Sequence, residues 1–216
     1  GADSAQTITG GSGTDILAVA GTTYTGAVSN INTVTITAGG DIKGANSGAV
    51  TGATAATITG SVAMTAAQHN ALTITAGGGS DQITLSGAGN VTANVNVETY
   101  DLGDTGRTIT LGADSAQTIT GGSGTDILAV NATTYTGQVT AALNEVTLTA
   151  GGDITGAKGG TNSAGEALTS GGTANVTGAV LMTALQHAGF TTFTASGGSD
   201  KITLSGAGNV TAGAAI

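Results

Sequence analysis

Two stretches of the chain follow the pattern Gly-Gly-x-Gly-x-Asp-x-U-x, where U is a large apolar residue. They are Gly10-Gly11-Ser12-Gly13-Thr14-Asp15-Ile16-Leu17-Ala18 and Gly121-Gly122-Ser123-Gly124-Thr125-Asp126-Ile127-Leu128-Ala129. Glycines let a tight turn adopt positive φ and point its carbonyls inward. The aspartate adds a carboxylate two residues later, and the apolar residue anchors the strand that follows. Carbonyl and carboxylate oxygens are hard ligands suited to calcium, which takes 6–8 oxygens at about 2.3–2.6 Å. Looser versions, Ala76-Gly77-Gly78-Gly79-Ser80-Asp81-Gln82-Ile83 and Ala195-Ser196-Gly197-Gly198-Ser199-Asp200-Lys201-Ile202, keep the aspartate. Asp15, Asp126, Asp81 and Asp200 are therefore candidate calcium ligands, with Gly10, Gly11, Gly13, Gly121, Gly122 and Gly124 shaping the two full turns. Asp41 and Asp153, each in Ala-Gly-Gly-Asp-Ile, read instead as turn residues that bond their own backbone.

Other constellations offer less. His69 and His187 follow Gln68 and Gln186 at matching places, but no second His or paired acid lies nearby in sequence. Each reads as a structural His closing a short helix. Gly10-Gly11-Ser12-Gly13 continues with Thr14, so no nucleophile elbow is completed. Lys43 and Lys158 lack the glycine spacing of a phosphate loop. Glu98, Asp101, Asp104 and Arg107 form the densest charged cluster, read as an ion pair of Arg107 with Asp104 or Glu98. A chain with few aromatics and no convergent polar groups is poor material for an enzyme site, so no catalytic residue is expected.

The turns recur because the chain is two copies of one unit. Residues 1–19 return letter for letter at 112–130, and MTAAQHNALTITAGGGSDQITLSGAGNVTA (64–93) aligns with MTALQHAGFTTFTASGGSDKITLSGAGNVTA (182–212). Unit one spans 1–111, including a link at 94–111 without a second counterpart. Unit two spans 112–216, with an insertion near 159–174. The chain starts inside a motif and stops where the link would begin again, so the polypeptide is expected to continue. Within each unit, blocks of nine or ten residues pair a glycine turn with a short β-branched strand, as in LGDTGRTIT, LGADSAQTIT and GGSGTDILA. Thr-apolar-Thr triplets put Ile, Val or Leu on one face and Thr on the other. Short strands with glycine turns and internal repetition predict an all-β parallel β-solenoid. One short helix per copy is expected within Val62–Leu72, capped by Ser61, and within Val180–Phe190.

Composition narrows the classes. Among 216 residues are 39 Gly, no Pro, no Cys and no Trp; 4 Lys+Arg stand against 13 Asp+Glu, for a net charge of −9. Four scattered cations exclude a basic nucleic-acid surface. No apolar run approaches the roughly 20 residues of a membrane-spanning helix. At 39 % hydrophobic and 8 % charged, the chain lacks the signature of disorder. Glycine without proline or a strict three-residue period excludes collagen.

With its nonapeptides and Ala/Gly/Thr/Ser composition, the sequence resembles the RTX (repeats-in-toxin) family of calcium-binding β-roll proteins. In character it is closest to RTX-type bacterial surface-layer proteins and secreted adhesins. The resemblance implies a calcium ion shared between successive turns, with an aspartate from each. Asp3, Asp114 and Asp104 then become the candidates to complete the shells of Asp15 and Asp126. It also implies a structural, calcium-stabilised repeat segment, exported to the cell surface, whose partners are copies of itself in a lattice or fibre, further repeats of a longer chain, or a cell-surface polysaccharide. Two alternatives stand beside it: an adhesin or ice-binding module using the Thr faces, and the secretion tail of a larger RTX enzyme. The uneven spacing of the Thr triplets, which begin at 7, 35, 57 and 73, argues against one regular ice-matching array.

Overall fold

In TVTIT at 33–37, Val34 and Ile36 are fully buried while the three threonines stay half-exposed. TITL at 108–111 behaves the same way, with Ile109 and Leu111 inward. Strict alternation leaves each strand one apolar face to bury, and the only way to bury it is against a second wall built the same way. The computed structural model describes residues 3–45, 50, 52–141, 143–169 and 171–211.

The first copy runs β1 (Ile8–Thr9), β2 (Ile16–Ala20), β3 (Val28–Ser29), β4 (Thr33–Thr37), β5 (Ala55–Ile58), β6 (Ser61–Thr65), α1 (Ala66–Ala71), β7 (Thr73–Ala76), β8 (Gln82–Ser86) and β9 (Val91–Ala93). The link adds β10 (Thr99–Asp101) and β11 (Thr108–Leu111). The second copy runs β12 (Thr118–Thr120), β13 (Ile127–Val130), β14 (Val139–Ala141), β15 (Glu145–Leu148), β16 (Gly172–Val176), β17 (Ala179–Thr183), α2 (Ala184–Gly189), β18 (Phe190–Ala195) and β19 (Lys201–Ser205). Every strand ladder is parallel, and the coils form a β-solenoid of about 10 turns. The expected fold class is thus the observed one.

Successive strands alternate between a first wall and a second, except that β4 is followed by β5, and β15 by β16, on the second. The first wall holds β1–β3, then β6–β8–β10–β12–β14, then β17–β19; the second holds β2–β4–β5–β7, then β9–β11–β13–β15–β16–β18. Single bridges carry the first wall across its gaps: Asp41 joins Thr23 to Ala63, and Asp153 joins Thr134 to Leu181. Parallel partners lie 17 to 22 positions apart, except where the insertion widens the gap to 28, between β15 and β16 and from Asp153 to Leu181. The link makes a coil of its own. Its β10 pairs with β8 and β12, and its β11 pairs with β9 and β13, so the two copies stack through it without a break.

The core is a double column of side chains along the axis. Val62, Ile83, Tyr100, Ile119 and Val139 succeed one another up the first wall, and Val91, Ile109, Leu128, Val146 and Ala174 up the second. Each such apolar side chain contributes about 1.5–3 kcal/mol by leaving water.

The helices are shorter than the i, i+4 spacing predicts, and their caps differ. Val62 and Met64 point inward in strand alternation and pair with β8, so Ser61–Thr65 is strand and α1 begins only at Ala66. The cap is Thr65, not Ser61. Its Oγ1 accepts from the Gln68 backbone N–H at 3.1 Å, and the Gln68 side chain accepts from the Thr65 N–H at 2.8 Å. Thr183 and Gln186 repeat this box on α2, at 3.0 and 2.8 Å. The signal was in the sequence as Thr-x-x-Gln, the capping-box spacing.

Facing within the strand, more than residue type, sets the energetic weight of an isoleucine. Ile109 points inward from β11 and is 0 % exposed, whereas Ile16 points outward from β2, whose Leu17 and Val19 are buried, and is 62 % exposed. Urea unfolding should show Ile109→Ala losing about 2–5 kcal/mol and Ile16→Ala staying within about 0.5 kcal/mol.

Candidate functional site

The Gly-Asp turns sit where the chain crosses from one wall to the other, and they do not share one edge. Residues 10–15, 103–107 and 121–126 cross from the first wall to the second; residues 77–81 and 196–200 cross back. Asp15, Asp104 and Asp126 are therefore on one edge of the solenoid, and Asp81 and Asp200 on the other.

On the first edge, each full motif is clasped by an asparagine one coil further on. The Asp126 N–H donates to Asn144 Oδ1 at 2.7 Å, and its carbonyl accepts from the Asn144 and Glu145 N–H groups at 2.9 and 3.2 Å. Asp15 and Asn32 repeat the arrangement at 2.7 and 3.0 Å. No motif singles out Asn32 or Asn144, and the signal is only that each stands immediately before a strand, led by Thr33 or Glu145. The Asp126 carboxylate folds back on its own turn, where Oδ2 accepts from the Gly122 N–H at 2.7 Å. Gly121 of the same turn is buried. Gly10 is equally tight: a Cβ there would stand 2.0 Å from Asn30 O and 2.8 Å from Asp15 Oδ2.

On the second edge, Asp81 Oδ1 accepts from the Gly60 N–H of the preceding coil at 2.6 Å, and the Asp81 N–H donates to Glu98 Oε2 of the next at 2.7 Å. Asp200 accepts from Gly178 at 2.6 Å and from Gly197 at 3.0 Å. These backbone N–H groups hold its carboxyl below the ordinary aspartate range. Each residue expected to complete a calcium shell has a partner of its own. Asp3 Oδ1 accepts from the Thr23 N–H at 2.9 Å and Asp114 Oδ1 from the Thr134 N–H at 2.7 Å, each pinning the next coil. Asp104 is largely exposed, 4.0 Å from Arg107 Nη2. Of the two partners expected for Arg107, Asp104 is the near one; Glu98 bonds Asp81 instead. Asp41 and Asp153 each accept from the N–H two residues on, at 2.8 Å, as their turn reading anticipates.

Among the described residues, three carboxylate oxygens are buried and without a hydrogen bond: Asp15 Oδ2, Asp81 Oδ2 and Asp126 Oδ1. Each has capacity left for a cation. Among the described residues no three acidic or histidine side chains converge. The turns of Asp15, Asp81 and Asp126 thus each offer one buried, free carboxylate oxygen, and the remainder of a calcium shell of 6–8 oxygens would have to come from backbone carbonyls and water. Arg107 and the Thr133 hydroxyl are also buried with unbonded atoms. The Arg107 side chain is buried with Nη1 and Nη2 unbonded, while Nε donates to Thr105 O at 3.1 Å. Burial lowers its pKa, opposed by the charges of Asp104, Asp126 and Asp101.

The helix residues prove structural. Gln68 Nε2 donates to Ile42 O and Ala45 O, at 2.6 and 2.9 Å, across the core. His69 Nε2 meets Tyr100 Oη at 3.0 Å, and the same hydroxyl accepts from the Asn94 N–H at 2.9 Å. His187 has no tyrosine opposite and stacks on Phe193 instead. A cavity of about 490 Å³ between β14, the insertion and α2 is lined by no ionisable side chain. Comparison with protein-family models, characterised proteins and solved structures gives no significant match to this chain.

Two predictions follow from this geometry. A Cβ on Gly122 would lie 1.6 Å from Gly103 O, whereas a Cβ on Gly11, its counterpart in the first copy, meets nothing within 4 Å. Gly122→Ala should therefore lose about 3 kcal/mol or more in chemical unfolding, and Gly11→Ala stay within about 0.5 kcal/mol. Burial lowers the pKa of His69 and of His187. A histidine held neutral in the fold contributes stability that is intact above its unfolded pKa of about 6.5 and declines as pH falls below it. Melting temperature should drop between pH 7.5 and pH 5, and His69→Gln with His187→Gln should flatten that drop.

Proposed function

We propose that this chain is a structural segment of a secreted bacterial surface-layer, filament or matrix protein, a rod that lengthens by laying coil on coil. The observation that carries this reading is the link. A stretch with no repeat counterpart still forms a full coil and joins both copies through the same parallel ladders. A unit that concatenates in this way is a rod element whose length follows from the number of coils. The last coil supports it: Leu204 and Val210 are 37 and 39 % exposed, whereas Leu85 and Val91, which match them, are 0 and 2 % exposed inside the stack. Apolar strands with an open edge favour further stacking, and a head-to-tail contact that does not close yields fibres or lattices. No helix among the described residues is long and apolar enough to cross a membrane.

Calcium enters this reading as countercharge, in keeping with the RTX resemblance. The net charge of −9 repels itself along a thin rod, and the unpaired oxygens of Asp15 and Asp81 are where a cation gains most. At millimolar calcium, as outside cells, the rod would gain stability by linkage.

A second reading is favoured by one register. Thr35, Thr57 and Thr75 are direct cross-strand neighbours on β4, β5 and β7. Their uneven sequence spacing, which argued against a regular array, reflects unequal turn lengths and not misalignment. Rows of Thr at strand spacing, about 4.7–4.9 Å, suit an ordered water layer or a crystalline polysaccharide, which is the adhesin or ice-binding alternative.

Light scattering and thermal melts on one sample test the main reading. Association into elongated particles, with a melting temperature higher in calcium than in chelator, is expected. A stable monomer at all concentrations overturns the self-assembling rod, and identical melts remove calcium from it.

A further inference from the structure

Gly11 has no steric reason within its own coil to be glycine. Its φ lies outside the left-handed region, and a Cβ there meets nothing within 4 Å. The counterpart Gly122 has a reason: Gly103 O of the link coil would lie 1.6 Å from its Cβ. Gly13 and Gly124 repeat the contrast. Both have positive φ, but a Cβ on Gly13 meets open space, whereas one on Gly124 would stand 2.4 Å from Gly106 N. The link's turn at 103–107 thus lies directly on the turn at 121–126, backbone against backbone. Ser123 N and Oγ donate to Gly103 O and Asp104 O, both at 3.0 Å, and the Ile127 N–H donates to Arg107 O at 2.9 Å. These contacts need small residues on both sides, and both sides supply them.

The charges follow the same division. The buried guanidinium of Arg107, two of its nitrogens unbonded, arrives against the turn whose Asp126 Oδ1 is buried and unbonded. Asp15 also carries a buried, unbonded carboxylate oxygen, and β2 beside it is the outermost strand of its sheet. Residues 1–19 and 112–130 are identical, so the surface that receives the link in the second copy is present in the first with its glycines, aspartate and open strand edge.

We propose that the turn Gly10–Asp15 and the free edge of β2 form a docking surface for a polypeptide coil of the link's chemistry, a Leu-Gly-Asp-Thr-Gly-Arg turn running into a β-branched strand. Its glycines seat against Gly11 and Gly13, its arginine faces Asp15, and its strand pairs with β2. This rests on the stacking reading and narrows it. The receiving coil selects its neighbour by a glycine-to-glycine fit and one buried charge, not by apolar contact alone.

The test copies residues 94–111 in front of Gly1, which restores there the junction that Leu111 makes with Gly112. A fusion carrying the same residues in scrambled order is the control, with circular dichroism verifying that each chain folds. The authentic fusion should melt several degrees higher than the control and slow hydrogen exchange of the β2 amides. Gly11→Ala, silent in the original chain and in the control, should become costly in the authentic fusion. Replacing the copied arginine by alanine should return part of the gain. If Gly11→Ala stays silent in the authentic fusion, or the scrambled fusion stabilises equally, the docking surface is refuted. Elongated particles from the unfused chain in that case leave the rod reading standing. A costly Gly11→Ala in the fusion, with an unfused chain that stays monomeric, retains the docking surface and removes unaided self-assembly.

Discussion

Backbone approach at the turns is the constraint on which the rest of this structure depends. A solenoid can pair its strands at ladder spacing only if the turns between them also stack at that spacing. A side chain trapped between two stacked turns would hold the walls apart. The contact of Gly103 O with the Gly122 position, and of Gly106 N with Gly124, shows how little room is left. Glycine at these corners gives up conformational entropy on folding, yet it lets two walls of small β-branched residues close on a core that needs no tryptophan and few aromatics. The chain's abundance of glycine and its thin core are therefore one property seen at two places.

Polar groups are spent on the same task. Aspartates at both edges accept backbone N–H groups, their own turn's or a neighbouring coil's, and asparagines clasp the aspartate peptides from the coil beyond. Buried backbone donors must find acceptors, and at a sharp corner the ladder cannot supply them. Carboxylates and carboxamides take over where the ladder stops. The buried Tyr135 hydroxyl does likewise, donating to Gln117 O and Gln138 O at 3.0 Å.

Strand identity and facing were legible from Thr-apolar-Thr alternation, because period-two burial is local. The solenoid was legible from repetition, because a unit that cannot bury its own face must bury it on a copy. The helix starts were misread where two periodicities overlapped: Val62 and Met64 satisfy both a strand and a helix, and only the Thr65–Gln68 box separates them. What could not be read was which acids share an edge. That depends on whether a turn leads from the first wall to the second or back, so Asp81 and Asp126 look alike in sequence and stand on opposite sides. The alignment of Thr35, Thr57 and Thr75 was hidden for the same reason, since unequal turn lengths conceal equal registers.

The direction of the hydrogen bonds has a mechanical corollary. In every ladder they run along the solenoid axis, from one coil to the next. Tension applied through a chain end falls on the bonds of the outermost coil, so the solenoid yields by peeling. Each coil released pays out its contour, up to about 3.3–3.6 Å per residue, while the coils beneath keep their packing. Squeezed across its width, the same object meets two walls of interdigitated side chains that cannot slide apart singly. Such a rod is compliant lengthwise and stiff in cross-section, a spring with one coil as its unit of extension.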